Sequence, residues 1–184
     1  PFGYLDHNLR CGDSLLGIQR LEQLIQLSMN PTSEEQLCLF GQNIKEAVYK
    51  AIALRQRLSE LPINSVRDVE TMAHFNTGAS NWLELPKHIA NIFVGKLFEA
   101  NGNSEDLKIA LAMLAIQADK IIKGVHASFR QIQDMPSELL SANLFYDKPL
   151  NKYFHWPLEF PEVFLRENGG FDSIVGNPPF LGGQ

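Results

Sequence analysis

Leu37-Cys38-Leu39-Phe40-Gly41-Gln42-Asn43-Ile44-Lys45-Glu46-Ala47-Val48-Tyr49-Lys50-Ala51-Ile52-Ala53-Leu54-Arg55-Gln56-Arg57-Leu58 is the stretch on which the fold turns. Apolar or small residues fall at Leu37, Phe40, Ile44, Ala47, Ala51, Leu54, Leu58 and Leu61, in steps of three and four. That is the period of one face of an α-helix. Working outward, Thr32 or Ser33 offers a cap, Glu34 and Glu35 place acids in the first turn, and Pro62 stops the pattern. The spacing predicts a long amphipathic helix from about Ser33 to Leu61.

A second stripe, Leu107, Leu111, Leu114, Ala118, Ile121, Val125, Phe129 and Ile132, predicts another helix from about Ser104 to Met135. Asn103 or Ser104 caps it, with Glu105 and Asp106 behind. Each helix would run roughly 45 Å at 1.5 Å per residue, and two matching seams most simply pack antiparallel. Between them, Ile63 to Asn101 forms the far end of the bundle. There Asn76-Thr77-Gly78-Ala79-Ser80-Asn81 reads as a loop, and a shorter helix from about Pro86 to Ala100 turns Ile89, Ile92, Phe93 and Leu97 inward. Trp82 and His74 read as packing residues. One further helix, about Leu16 to Met29, ends at Asn30-Pro31.

Composition bounds the partners. The 184 residues are 45% hydrophobic and 20% charged, enough for one ordinary core with an appendage. The net charge is −5 and Lys and Arg are scattered among acids, so no basic face for phosphates is visible, and DNA contacts would come chiefly from the remaining domains of a larger polypeptide. No signal peptide and no apolar run of about 18 residues is present, which argues for a cytoplasmic chain with no membrane partner. Cys11 and Cys38 lack metal spacing and suit a reducing compartment, Cys11 as a small buried apolar residue. His7, His74, His88, His126 and His155 never pair at a ligand interval, so no metal site is expected.

After Pro136 the pattern changes. Tyr146, Pro149, Tyr153, Phe154, Trp156, Pro157, Phe160, Pro161 and Phe164 form an aromatic, proline-punctuated segment with little helical period, read as core-covering chain returning to a sheet. Asn168-Gly169-Gly170 is a turn, and Phe171-Asp172-Ser173-Ile174-Val175 reads as a buried strand of a mostly parallel sheet, ending in Gly176-Asn177-Pro178-Pro179-Phe180. The side-chain carbonyl of Asn177 and the backbone carbonyl of Pro178, held in one direction by two fixed proline φ angles, can converge on one NH2 group. Accepting both N–H bonds of an aromatic amine favours the pyramidal form whose lone pair is free. By analogy with one oxyanion-hole donor, Asn177 would lower the barrier by roughly 3 kcal/mol. Phe180 supplies a stacking face, worth about 1 to 3 kcal/mol per base. The same residues also compose an ordinary strand-ending turn.

Phe171-Asp172-x-Ile174-Val175-Gly176-Asn177-Pro178-Pro179-Phe180 resembles the catalytic motif of amino-methyltransferases that use S-adenosylmethionine, a group acting on DNA adenine N6, ribosomal RNA or release-factor glutamine. Phe154-His155-Trp156-Pro157-Leu158-Glu159-Phe160-Pro161-Glu162-Val163-Phe164 resembles the approach to this motif in large bacterial restriction-modification enzymes with a fused adenine methyltransferase. Leu5-Asp6-His7-Asn8-Leu9-Arg10-Cys11-Gly12-Asp13-Ser14-Leu15-Leu16-Gly17 is similar to the segment those enzymes place after the third strand of the methyltransferase sheet. The resemblance implies that Asp13 accepts from the amino group of the cofactor's adenine, with Ser14 adjacent. From residue type alone, Asp13 equally suits a turn or helix cap. No Gly-rich loop after a strand lies upstream of Asp13, so the part gripping the methionine end of the cofactor is expected outside this chain.

The reading is a mostly α chain: a long antiparallel helical bundle inserted into a partial Rossmann-like α/β methyltransferase domain. Residues 1–17 form the cofactor-side segment, 18–145 the helical insertion, and 146–184 the return segment with the catalytic strand and turn. The implied activity is DNA adenine-N6 methylation in a bacterial restriction-modification system, on double-stranded DNA with the target adenine flipped out, by a full-length parent that carries or lacks a fused nuclease; the isolated chain is expected to be inactive. Catalytic roles fall to Asn177, Pro178, Pro179 and Phe180, and cofactor contacts to Asp13 and Ser14. The alternatives are an RNA or protein-glutamine methyltransferase, or a helical interaction module without catalysis. The bundle itself reads as a spacer rather than a DNA-touching arm, because its stripes are occupied by packing and its exposed faces mix charges.

Overall fold

A computed structural model of the chain describes residues 8–31, 39–122 and 153–176. These residues are mostly helical. In chain order the helices are α1 (Leu21–Ile25), α2 (Leu39–Glu60), α3 (Val66–Glu99), α4 (Ser104–Ile122), and two single turns, α5 (Trp156–Glu159) and α6 (Pro161–Phe164).

α2 follows its apolar period. Ile44, Ala51 and Leu58 are fully buried, with Val48 on the same face. The helix ends at Glu60, just before Pro62, which lacks the N–H a further turn would need. The expected start near Ser33, with Thr32 and Leu37, lies outside the described residues. α4 begins where the cap was expected, and Asn103 Oδ1 accepts from the Glu105 N–H at 3.2 Å. Leu114 and Ala118 point inward, and the course after Ile122 lies outside the described residues.

The largest departure is α3, a single helix of 34 residues where the sequence suggested a loop and a short helix. It starts at Ser65, where the Asp68 carboxylate accepts from the Asn64 and Ser65 N–H groups at 2.9 and 2.8 Å. Met72, Ala79, Leu83, Pro86, Ala90 and Phe93 then carry one inward stripe straight through the Asn76–Asn81 stretch. The small residues that looked loop-like are helix-interface residues. A methyl group on Gly78 would stand 3.2 Å from Leu54 Cδ1 of α2, so glycine lets the two helices approach. Burial against α2 outweighs weak local propensity. Pro86 sits inside the helix and leaves the carbonyl of Trp82 without its N–H partner four residues on, without ending the helix.

Consequently α2 packs chiefly on α3, and α4 lies against both, so the anticipated seam between α2 and α4 is not the main one. Leu24, Ile44, Leu83, Ile89, Phe93, Leu114 and Leu158 belong to one fully buried core.

Two more expectations are corrected. The helix read from Leu16 to Met29 shrinks to α1, because the backbone of Leu16 and Ile18 is engaged elsewhere: Phe154 N–H donates to Leu16 O at 2.7 Å and Trp156 N–H to Ile18 O at 3.2 Å. At the far end Leu27 takes a left-handed φ of 46° and closes the turn. The segment 171–175 forms no strand; Ile174 and Val175 are 78% and 96% exposed. A buried apolar strand needs neighbours on both sides, and among the described residues the one strand-like pairing is an isolated parallel bridge between Asp13 and Tyr153. The Rossmann-like sheet expected around these segments is therefore absent among the described residues.

Candidate functional site

Residues 153–165 form a compact plinth. Trp156-Pro157 and Phe160-Pro161 each put proline near the first position of a helical turn, where a missing N–H costs nothing. Folding back this tightly gathers the aromatic side chains. Phe154 and Trp156 meet edge to face at 4.8 Å between centroids, and Phe171 makes the same T-shaped contact with Phe160 at 5.3 Å, Phe164 at 5.7 Å and Trp156 at 6.0 Å. Gly170 N–H donates to Val163 O at 3.1 Å, and Arg166 binds both Gly170 O and the Asp172 carboxylate. The Arg166 guanidinium holds the Asp172 carboxyl below its ordinary range. The chain approaching Asn177 is thus fastened to the plinth as far as Asp172. Asn177, Pro178, Pro179 and Phe180 lie outside the described residues.

The cofactor-side segment is fastened to the same plinth. Gly17 allows this: at φ +147° it brings its backbone so close to Phe154 that a Cβ would sit 2.2 Å from the Phe154 carbonyl oxygen. Trp156 Nε1–H donates to the Ser14 carbonyl at 3.1 Å. Asp13 Oδ1 accepts from Leu15 N–H at 3.0 Å and Asp13 O from Leu16 N–H at 3.1 Å, a side-chain-closed turn. Asp13 is half-buried and Ser14 exposed. Cys11, expected to be buried, is exposed on this segment, whose outer side has no covering element among the described residues. Cys38 lies outside them.

His155 ties plinth to bundle. Its Nδ1 accepts from Ile18 N–H at 3.2 Å, so Nε2 carries the proton and donates to Asn91 Oδ1 of α3 at 2.8 Å. Burial, reinforced by the Lys87 charge, pushes the imidazole down to about 3, and the ring is neutral at ordinary pH.

Beside it sits a buried ionic junction centred on Glu159, which is 5% exposed. Glu159 Oε1 takes Lys87 Nζ of α3 at 2.8 Å, and Oε2 takes Arg10 Nε at 3.3 Å. Its backbone carbonyl accepts from Arg55 Nη1 of α2 at 2.8 Å. The same Nη1 reaches Glu162 Oε2 at 2.7 Å. Burial lowers the Lys87 ammonium pKa, and the Glu159 charge opposes that shift. None of Glu159, Arg55, Lys87, His155 or Asn91 stood out from the sequence as a functional residue. One signal was present: Arg55 occupies a core-facing position on the α2 stripe, four residues after Ala51 and three before Leu58.

Elsewhere, a cleft of about 360 Å³ opens between α2 and α3, lined by Asn43, Lys50, Asn81, Trp82 and Pro86 among others. Lys50 Nζ covers the Trp82 ring at 4.3 Å, so Trp82 is a partly exposed cleft residue, and His74 is exposed, neither of them core packing. Among the described residues no group of His, Cys, Asp or Glu could hold a metal ion, and no helix is long and apolar enough to cross a membrane.

A family model described as Eco57I restriction-modification methylase matches residues 38–184, which takes in α2 to α6 and the sequence Asn177-Pro178-Pro179-Phe180 and leaves Asp13 and Ser14 outside. No curated protein and no solved structure matches the chain.

Proposed function

The chain belongs to the Eco57I restriction-modification methylase family, and from that premise we propose that it carries the amine-gripping turn of a cytoplasmic DNA adenine-N6 methyltransferase dependent on S-adenosylmethionine. The observation that carries the reading is the family match running through Asn177-Pro178-Pro179-Phe180. In this proposal residues 1–17 and 146–184 belong to the methyltransferase core and 18–145 to the helical insertion, with a Rossmann-like sheet completing the core.

The residues present fit the adenine end of the cofactor: Asp13 is a half-buried carboxylate set in a rigid turn, an acceptor suited to an exocyclic amine, and Ser14 is exposed beside it. When bound, S-adenosylmethionine supplies an electrophilic methyl group on a sulfonium. Asn177 Oδ1 and the Pro178 carbonyl accept the two N–H bonds of a flipped adenine and leave its lone pair directed away from them. Pro179 fixes the direction of the Pro178 carbonyl, and Phe180 stacks on the ring and keeps water from it. Orientation of two reactants supplies most of the gain, so no covalent intermediate on the protein is required.

The test uses the complete protein, DNA and methyl-labelled cofactor, followed by nucleoside analysis. The expected product is N6-methyladenine. Label in RNA, or on a glutamine of a protein substrate, overturns the DNA assignment. Asn177→Ala is expected to lower turnover at least a hundredfold, from roughly 3 kcal/mol of lost stabilisation, with cofactor still bound. Near-full turnover in that variant removes Asn177 from the mechanism.

A further inference from the structure

The helical bundle does more to the plinth than support it. Three cations from three separate parts of the chain converge on one carboxylate residue: Arg10, three residues before Asp13; Arg55 of α2; and Lys87 of α3. Each takes a different oxygen of Glu159, namely Oε2, the backbone carbonyl and Oε1. Arg55 adds a second anchor at Glu162 on α6. Arg55 and Glu159 are 4% and 5% exposed.

Charges buried this deeply are poor devices for stability, since well-packed apolar side chains of similar volume commonly serve as well or better. What they provide is direction. A hydrogen-bonded ion pair holds its partners to a few tenths of an ångström in distance and a narrow range of angles, whereas apolar contacts permit sliding. Here the directed bonds run from both long helices to the element that carries, on one side, the Asp13–Leu16 turn through Trp156 and Phe154 and, on the other, the chain leading to Asn177 through Phe171 and Gly170. The bundle therefore grips the shared base of both candidate segments.

We propose that Glu159 is a positioning residue for methyl transfer, the junction through which Arg55 and Lys87 of the helical insertion fix the Asp13 segment and the Phe171–Asp172 approach to Asn177 relative to each other. This rests on the methyltransferase reading and assigns the insertion a task within it, in place of a passive spacer. A displacement of about 1 Å between cofactor and acceptor is enough to slow a reaction a hundredfold. The insertion thus acts on the chemical step without touching either reactant.

The test compares Lys87→Met with Lys87→Arg in the complete protein. Lys87 is partly exposed and Glu159 keeps Arg10, so Lys87→Met removes one directed bond without stranding a charge. The expected result is a kcat at least tenfold below wild type, with cofactor Kd and the KM for DNA within about twofold and the thermal midpoint little changed. Lys87→Arg, which restores the ion pair, is expected to recover most of the loss. A merely structural role predicts the opposite split, with activity following the folded fraction and kcat per folded molecule constant. Lys87→Met that is folded and turns over within twofold of wild type overturns the proposal. Should that variant fail to fold, Glu162→Ala decides, because its side chain is 29% exposed and its removal frees Arg55 from α6 while the bond to the Glu159 carbonyl remains. A tenfold fall in kcat supports the junction, and an unchanged kcat overturns it. A wild-type protein that transfers no label to DNA overturns the methyltransferase reading itself, an outcome distinct from either.

Discussion

Acid should unfold this chain through His155 before its surface carboxylates dominate. The ring is 1% exposed, accepts from Ile18 N–H and donates to Asn91, so a second proton would break the Ile18 bond and place a cation beside Lys87. Its folded-state value, about 3, lies below the ordinary 6.5. Between these two values the unfolded chain binds a proton that the folded chain refuses, so stability is fully present above pH 6.5 and falls as pH drops toward 3. The slope approaches about 1.4 kcal/mol per pH unit, so roughly 2 to 3 kcal/mol is gone by about pH 4.5, a large fraction of a typical 5 to 15 kcal/mol. Urea melts followed by far-UV circular dichroism at half-unit pH steps measure this directly. His155→Asn serves as the control. Asn can still accept from Ile18 N–H but cannot titrate or reach Asn91, so it should be less stable by about 1 to 3 kcal/mol at pH 7. Its curve between pH 6.5 and 4.5 should be flatter than wild type by roughly the slope above. Parallel curves for the two proteins refute the assignment of the acid sensitivity to His155.

Two further substitutions test the packing. Gly17→Ala drives a Cβ to within 2.2 Å of the Phe154 carbonyl at a φ of +147°, and should cost roughly 2 kcal/mol or more; a urea midpoint unchanged from wild type would show that the Leu16–Phe154 pairing does not form. Pro86→Ala restores an N–H to the Trp82 carbonyl, relieves most of the roughly 3 kcal/mol a mid-helix proline costs, and gives up some buried ring contact. The expected net effect is a chain more stable by about 1 kcal/mol, and a variant less stable than wild type would mean that ring packing outweighs the helix penalty.

How much of this was legible in advance follows from where each signal resides. The α2 stripe was readable because Ile44, Ala51 and Leu58 repeat at the helical period within one short window. α3 was not, because its middle is built of Asn, Thr, Gly, Ala and Ser, residues that score as loop locally and become helical only when α2 lies against them. The partner exchange follows from the same cause. With α3 read as a loop and a short helix, α4 was the remaining long seam for α2.

The site divides along the same line. The Asp13 turn was readable because it is a contiguous run of residue types with its own chemistry, whereas the buried strand read over Phe171–Val175 does not form, since no neighbouring strand covers it among the described residues. The Glu159 junction was hidden because its members are scattered, with Arg55 and Glu159 separated by 104 positions. Arg55 alone carried a clue. A guanidinium at a core position cannot stay unpaired, since isolated burial of a charge is far costlier than any apolar contact it displaces. Such a residue demands an acidic partner on whatever element covers that face. In this chain Glu159 and Glu162 stand inside a stretch otherwise made of aromatic residues, prolines and aliphatics, where acids have little reason to be unless a cation meets them. Read together, those two anomalies point at one contact. They also explain why the plinth sequence couples prolines and aromatics to glutamates. The former set its shape, and the latter fasten that shape to the helices that hold it in place.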